Sequence, residues 1–382
     1  MTPLKDAISL LDHLIAFPTV STEPNLAMID WLAERLETAG AEVEVMSNAE
    51  GSKANLWATL NPGEGGIVLS GHTDVVPVAD QDWTSDPFVL TSRDERLFGR
   101  GTCDMKGFIA ACIASLPALR ESRRPIHFAF THDEETGCLG AQDLVTNLRL
   151  RGIAPAMALI GEPTSMRVIE GHKGCCEYTT RFTGLEGHGS APDAGVNAVE
   201  YAVRYVTRLM ALREELKGRA PANSPFDPPW TTANVGAIRG GVAHNVIVGK
   251  AEVDWEFRPV QESDFTFVKE SLAEYVETEL LPAMRAVHPA ATIETETIGE
   301  VAGLMPMDEN AARDLVFRLT GQNSSDVVAF GTEAGLFQSL GCHVVVCGPG
   351  SIEQAHKPDE YLDIPQLAAC LEMLDRLAGE VG

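Results

Sequence analysis

Five short segments of this chain each end an apolar run on a histidine or a carboxylate, and together they hold residue types that bind metal ions and move protons. The first is Ile67-Val-Leu-Ser-Gly-His72-Thr-Asp74. Residues two apart on an extended chain face the same side, so His72 is a candidate ligand with Asp74 placed to orient its imidazole. A His–Asp pair at an exposed turn is the plain alternative. The second is Gly99-Arg-Gly-Thr-Cys-Asp104-Met-Lys-Gly107, where glycines let the backbone turn sharply around Asp104, either a ligand or a helix N-cap. In the third, the run Ile126-His-Phe-Ala-Phe-Thr-His-Asp leads into Glu134-Glu135-Thr-Gly137. Adjacent carboxylates repel unless a cation holds one of them or water solvates both. The fourth, Ala158-Leu-Ile-Gly-Glu162-Pro163, stops on a glutamate, and the fifth places His356 in a glycine- and proline-held loop after Val344–Cys347. Two histidines and three acidic ligands, with one carboxylate to spare, form the set a two-metal hydrolase needs.

The elements around these segments follow from periodicity. Helical spacing runs from Leu4 to Gly40, with Gly40 as a C-terminal cap. Strand-like runs follow at 43–45, 55–59, 67–70, 126–131 and 156–160, with a helix over 107–119, which predicts an α/β sheet carrying its functional residues at strand ends. After Gly174 the order becomes strand 176–182, helix 197–216, strands 232–238 and 246–257, helix 264–280 and strand 291–297. That βαββαβ order is the pattern of a ferredoxin-like unit. The α/β pattern then resumes with a helix near 310–320, a strand at 344–347 and a helix from Pro365. The expected organisation is a catalytic domain of mixed sheet and flanking helices in two parts, 1–174 and 300–382, interrupted by an inserted domain at 175–299.

The segments, in this order, resemble the signatures of the dinuclear zinc amidohydrolases, a family of N-acyl amino acid deacylases, aminoacylases and glutamate carboxypeptidases. The matching pieces are Gly71-His72-Thr-Asp74-Val-Val-Pro77, Gly99-Arg-Gly-Thr-Cys-Asp104-Met-Lys-Gly107, Asp133-Glu134-Glu135-Thr-Gly137, Gly161-Glu162-Pro163 and Gln354-Ala-His356. The resemblance covers essentially the whole chain. It implies two zinc ions per subunit, for which cobalt can substitute. Asp104 bridges them, His72 and Glu162 hold one, and Glu135 and His356 hold the other. It also implies Glu134 as the general base, taking a proton from the attacking water and passing it to the leaving amine, and Asp74 as the support of His72. The inserted domain resembles the family's dimerisation lid, in which His188 of Gly184-Leu-Glu-Gly-His188 matches a histidine that relatives extend toward the partner subunit's site. Relatives often carry serine directly after it; here Gly189 precedes Ser190. Asn245 and Arg258 match positions that bind the substrate carboxylate, a role suited to the guanidinium fork; the plain alternative for Arg258 is a pair with a surface acid. The runs 330–338 and 348–361 look closest to the branch acting on N-acetylornithine, which points to arginine biosynthesis. Within the first run Gly331, Thr332 and Glu333 are expected to bind substrate, Glu333 facing its ammonium group or else bracing the loop. Desuccinylation of N-succinyl-diaminopimelate, or general N-acyl amino acid hydrolysis, is the alternative. A non-catalytic metal-binding protein on the same fold is a remoter one, since the base and all five ligands are present.

Composition agrees with an enzyme acting on a small molecule. The 382 residues carry a formal net charge of −26 and no basic patch, which argues against nucleic acid and anionic membranes as partners. The N-terminal residues lack a signal-peptide layout and no apolar run approaches the roughly 18 residues of a membrane span, so a cytoplasmic protein is expected, and the resemblance of the inserted domain to the dimerisation lid implies a homodimer. The eight cysteines have no CxxC spacing. Cys103, Cys112 and Cys370 sit in small or apolar surroundings as packed thiols. No GxGxxG or GxxxxGK[ST] loop occurs, which leaves out a nucleotide-dependent enzyme.

Overall fold

A computed structural model describes residues 2–380. The described residues divide into two compact units, one comprising 2–171, 304–328 and 332–380, the other 172–303 and 329–331.

The larger unit is built on an eight-stranded mixed sheet in the order 42–47, 54–60, 126–131, 67–72, 157–163, 343–348, 169–172, 326–328. Its four central strands, Ile126–Thr131, Ile67–His72, Met157–Pro163 and His343–Gly348, run parallel. Strands buried on both faces read as continuous apolar runs, and these strands do. Their side chains alternate between two cores. Ile67, Leu69, Phe128, Phe130 and Leu159 join the helices Pro3–Ile15, Leu26–Thr38, Gly107–Ala114 and Ile364–Glu380. Val68, Ala129, Ala158, Ile160 and Val344 face Leu139–Leu150 and Ala334–Gln338 instead. The helix expected over 107–119 breaks at Ser115, where Pro117 enters the first turn of Leu116–Leu119. Asn310 caps the helix Ala311–Thr320 by accepting from the Ala312 and Arg313 amides.

The smaller unit has a four-stranded antiparallel sheet in the order 232–240, 250–258, 175–183, 292–301, numbered 2-3-1-4 along the βαββαβ chain, which is the ferredoxin-like arrangement. One face carries Tyr178, Phe182, Val253, Trp255 and Phe257 against the helices Ala198–Lys217 and Glu262–Tyr275. The other carries ion pairs such as Arg181 with Glu252 and Arg239 with Asp254. The strand expected over 246–257 is interrupted at Val248 and Gly249, and the short piece Val246–Ile247 pairs instead with Gly187–His188. Among the described residues no helix is long and apolar enough to cross a membrane.

Candidate metal centre

The parallel central strands deliver their carboxyl ends to one side of the larger unit, and each end supplies a polar side chain. His72 is the last residue of its strand, Glu162 lies near the end of Met157–Pro163, and Glu134 and Glu135 follow Ile126–Thr131. His356 stands in the loop after His343–Gly348. Asp104 comes from a different place, an irregular turn over Thr102–Lys106 entered through Gly101 at φ 83°. A side chain at Gly101 would lie 2.7 Å from Val75, so only glycine admits this path. Asp104 itself has φ −125° and ψ 91°, outside helical values, and its carboxylate caps no helix. Lys106 anchors the turn by donating to the carbonyls of Leu14 and Phe17.

The two oxygens of Asp104 go in different directions. Oδ1 lies 3.0 Å from His72 Nε2, while Oδ2 lies 3.4 Å from His356 Nε2. His72 Nε2 is also 3.8 Å from Glu162, and His356 Nε2 is 3.0 Å from Glu135. Two clusters result, His72–Asp104–Glu162 and Asp104–Glu135–His356, sharing one aspartate, and within each the donor atoms lie within 4.8 Å of one another. Donors each about 2.0–2.2 Å from one tetrahedral zinc sit about 3.3–3.6 Å apart, so the spacing fits. Glu162 Oε1 is buried with no hydrogen-bond partner. A carboxylate oxygen in that state requires a cation or a proton, and the donor set of imidazoles and carboxylates suits zinc.

The electrostatics describe the same shortage of positive charge. Burial, reinforced by Asp104, drives the Glu162 carboxyl well above its ordinary range, and burial with the fields of Glu135 and Asp104 does the same to Glu134 against the pull of His72. Burial also raises Glu135. Burial opposes a charge on His72, yet the carboxylates of Asp104 and Asp74 hold its pKa well above the usual imidazole value. His356, between Asp104 and Glu135, is pushed up to about 10. Protons thus occupy places that divalent ions would neutralise.

Asp74 departs from its expected geometry. The donor to which it was expected to turn its carboxylate, His72 Nδ1, lies 2.9 Å from the main-chain carbonyl of Asp74 and 3.6 Å from Oδ1. The carboxylate instead accepts from the amides of Glu134 and Glu135 at 3.1 and 3.3 Å and from the Ser21 hydroxyl at 2.7 Å. It therefore fixes the turn bearing the two glutamates, while the carbonyl sets the imidazole. The Glu134 carboxylate accepts a weak hydrogen bond from the Cys138 thiol at 3.4 Å.

The substrate-binding candidates are divided between the units. Glu333 is buried in the larger unit, and its two oxygens accept from the hydroxyls of Ser70 and Thr131. This is the bracing geometry rather than one open to a substrate ammonium. Thr332 accepts from the Ala334 amide at the start of a short helix. Gly331, Asn245, Arg258 and His188 belong to the smaller unit. Arg258 pairs with Glu256 at 3.0 Å and donates to the Ala329 carbonyl. His188 is exposed and bonded to Ser190, while the Asn245 carbonyl accepts from Gly189. Sequence reasoning left Ser21, Ser70, Thr131 and Cys138 without roles, because each acts through a fold contact distant in the chain or, for Cys138, through a helical turn that was not anticipated.

A family model for peptidase family M20/M25/M40 matches residues 68–380. The chain belongs to that family. Among curated relatives, acetylornithine deacetylase of Proteus mirabilis (strain HI4320) is 38% identical over 380 residues, covering 97% of this chain and 95% of its own length. Acetylornithine deacetylase of Pasteurella multocida (strain Pm70) is 36% identical over 400 residues, covering 100% and 99%. Among solved structures, the M20 family metallo-carboxypeptidase Sso-CP2 from Sulfolobus solfataricus shares the fold with a TM-score of 0.79 at 16% identity, covering 98% of each chain. Bacillus subtilis YXEP protein, described as a dinuclear metal binding peptidase of the M20 family, matches with a TM-score of 0.65 at 18% identity over 99% of this chain and 98% of its own.

Proposed function

We propose that this metal-dependent amidohydrolase of family M20/M25/M40 cleaves the acetyl amide of N-acetyl-L-ornithine, yielding ornithine and acetate. The observation that carries the substrate is the 36–38% identity, over nearly the full length, to curated acetylornithine deacetylases. The two clusters sharing Asp104 support the chemistry. In this reading zinc is the native metal, with cobalt able to replace it. His72, Asp104 and Glu162 hold one ion and Asp104, Glu135 and His356 the other. Two such ions supply Lewis acidity and lower the pKa of a water toward neutrality.

The remaining work falls to side chains. Glu134 accepts a proton from the water as its oxygen bonds to the carbonyl carbon, and returns a proton to the amine nitrogen as the C–N bond breaks. Asp74 keeps Glu134 and Glu135 in place through their amides. Arg258 and Asn245 bind the substrate carboxylate, in which case Arg258 exchanges Glu256 for substrate. Gly331, Thr332 and Glu333 shape the substrate loop, and His188 of one subunit stabilises the oxyanion in the other. Residues 1–174 and 300–382 form the catalytic domain in this account and 175–299 the lid and dimer contact. Two features support a homodimer: the edge strand Thr232–Gly240 leaves Ile238 exposed, and the neighbouring helix exposes Val203 and Met210, seven apart on one face. A cytoplasmic place in arginine biosynthesis completes the reading.

The test offers metal-loaded protein N-acetylornithine, N-succinyl-diaminopimelate and simple N-acyl amino acids side by side. N-acetylornithine is expected to lead in kcat/KM by at least about tenfold, about 1.4 kcal/mol of transition-state preference. The reverse order with the succinyl substrate assigns the chain to desuccinylation.

A further inference from the structure

Three loops of the larger unit meet at a buried ion pair that belongs to neither ligand cluster. Arg100 and Glu360 are each 1% exposed, with Nη1 donating to Oε2 over 2.8 Å. Glu360 also gathers main-chain donors: Oε2 accepts from the Gly101 amide at 3.0 Å, and Oε1 from the amides of Cys103 at 3.0 Å and Asp104 at 3.2 Å. Three amides bonded to one carboxylate determine the path of the 101–104 turn and with it the position of Asp104. Arg100 extends the arrangement to the histidine loop, donating to the Lys357 carbonyl at 3.3 Å and to Gln81 Oε1 at 2.6 Å. Gln81 in turn donates from Nε2 to the carbonyl of His356 at 3.0 Å. His356 has φ 63°, a left-handed conformation that is unfavourable for a residue with a Cβ. Thr84 fastens the same two loops again, its amide and hydroxyl both donating to Asp359 at 3.0 Å.

We propose that Arg100 and Glu360, connected to His356 through Gln81, are positioning residues that set the separation of Asp104 and His356 and so tune the second metal site. This rests on the reading that Asp104, Glu135 and His356 hold an ion. The network governs two of the three ligands of that site, Asp104 and His356, but only Asp104 among His72, Asp104 and Glu162. Its loss therefore weakens the second ion more than the first. A residue that merely braced the fold would lower thermal stability and affect both ions alike.

The experiment measures zinc affinity at each site by chelator competition in the full-length protein, alongside thermal melting, for wild type, Glu360→Gln and Gln81→Ala. The glutamine amide turns a donor toward amides that need an acceptor. Glu360→Gln is expected to weaken the second ion by at least about tenfold while the first changes by less than about threefold, in the range found for groups that orient ligands. Gln81→Ala removes a partly exposed side chain and decides the matter where Glu360→Gln does not fold; the second ion alone is expected to weaken, by at least about threefold. Unchanged affinity for the second ion in folded Glu360→Gln, or in Gln81→Ala where it alone decides, overturns the proposal, as does equal weakening of both ions. A wild-type protein that takes up no second ion overturns the metal reading itself, and the proposal with it.

Discussion

Replacing Asp74 with asparagine separates two ways in which this residue can act. The carboxylate receives three donors, the amides of Glu134 and Glu135 and the Ser21 hydroxyl. Asparagine keeps one oxygen. If that oxygen faces Ser21 and Glu135, the new NH2 group meets the Glu134 amide, donor against donor; the opposite flip satisfies the Glu134 amide but opposes that of Glu135, while the Ser21 hydroxyl turns to accept. Either way at least one nearly buried donor is left unpaired, costing about 1–3 kcal/mol. The strain falls on the turn that carries the base. A displacement of Glu134 that loses about 1.4–2.7 kcal/mol of transition-state stabilisation lowers kcat by about 10–100-fold. The main-chain carbonyl that accepts from His72 Nδ1 is untouched by the substitution. Zinc affinity at the His72 site is therefore expected to stay within about threefold of wild type, against the 10–100-fold typical of losing a group that orients a ligand. Steady-state kinetics at saturating zinc and metal titration of the same preparation supply both numbers. A variant with normal kcat at saturating zinc but tenfold weaker zinc binding refutes the argument and returns Asp74 to the imidazole.

Other expectations follow from the same geometry. Glu134→Gln should retain both ions while kcat falls by about 10²–10⁴, whereas Glu135→Gln should lose metal, which elemental analysis of the two variants resolves; the opposite pattern exchanges their roles. Metal-free protein should melt at progressively lower temperature as pH rises from about 6 toward 10. Its His72, Glu134, Glu135 and Glu162 are all raised and His356 reaches about 10, so each contributes stability that is present below its unfolded value and lost as pH passes its folded one. Asp104 is shifted the other way, and its contribution is lost only in strong acid. Zinc binding displaces these protons, so affinity should increase with pH, and a metal-free melting temperature that climbs over this range contradicts the assignment. Charge placed on the exposed apolar side chains of the smaller unit, as in Ile238→Glu with Met210→Glu, should convert a dimer into a monomer in sedimentation velocity and reduce kcat without loss of zinc.

Much of this architecture was legible in the sequence because the informative residues are local. Strands such as Ile126–Thr131 are buried on both faces and end abruptly at polar residues, so both the strand and its functional tip at Glu134 and Glu135 lie within one window of ten residues. The βαββαβ order likewise needs only periodicity, and the sheet order follows from it. What stayed hidden depends on contacts between segments far apart in the chain. The strand break at Val248 and Gly249 has a local mark in the glycine, but the pairing of Val246–Ile247 with Gly187–His188, some sixty residues earlier, has none. The site shows the same division. His72, Glu135, Glu162 and His356 are identifiable as strand-end ligand types one at a time, but Asp104 as the shared ligand was implied only by the resemblance, since the division of its oxygens between two imidazoles is a property of three segments meeting.

Asp74 shows why spacing alone can mislead even when it selects the right residues. An i, i+2 relation on an extended chain places two side chains on one side, which suggested imidazole to carboxylate. The chain leaves the strand at His72, however, and past that point the main-chain carbonyl of Asp74 is nearer the ring than its own carboxylate. At 3.6 Å from the histidine the carboxylate still acts on its charge but is free to accept from amides, and two N–H groups stand at the turn after Ile126–Thr131 because the ladder has ended there. Glu360 meets the same demand on the other side of the centre, satisfying amides in a turn too irregular to satisfy its own. Each of these acids accepts most of its hydrogen bonds from backbone donors, Asp74 adding the Ser21 hydroxyl and Glu360 the Arg100 guanidinium. Such acids are hard to recognise in an acidic chain, since a carboxylate that binds amides is spelled no differently from one that solubilises a surface. Folding distinguishes them by burial: Asp74 is 3% exposed and Glu360 1%, and each is tied to the chain that presents a candidate ligand.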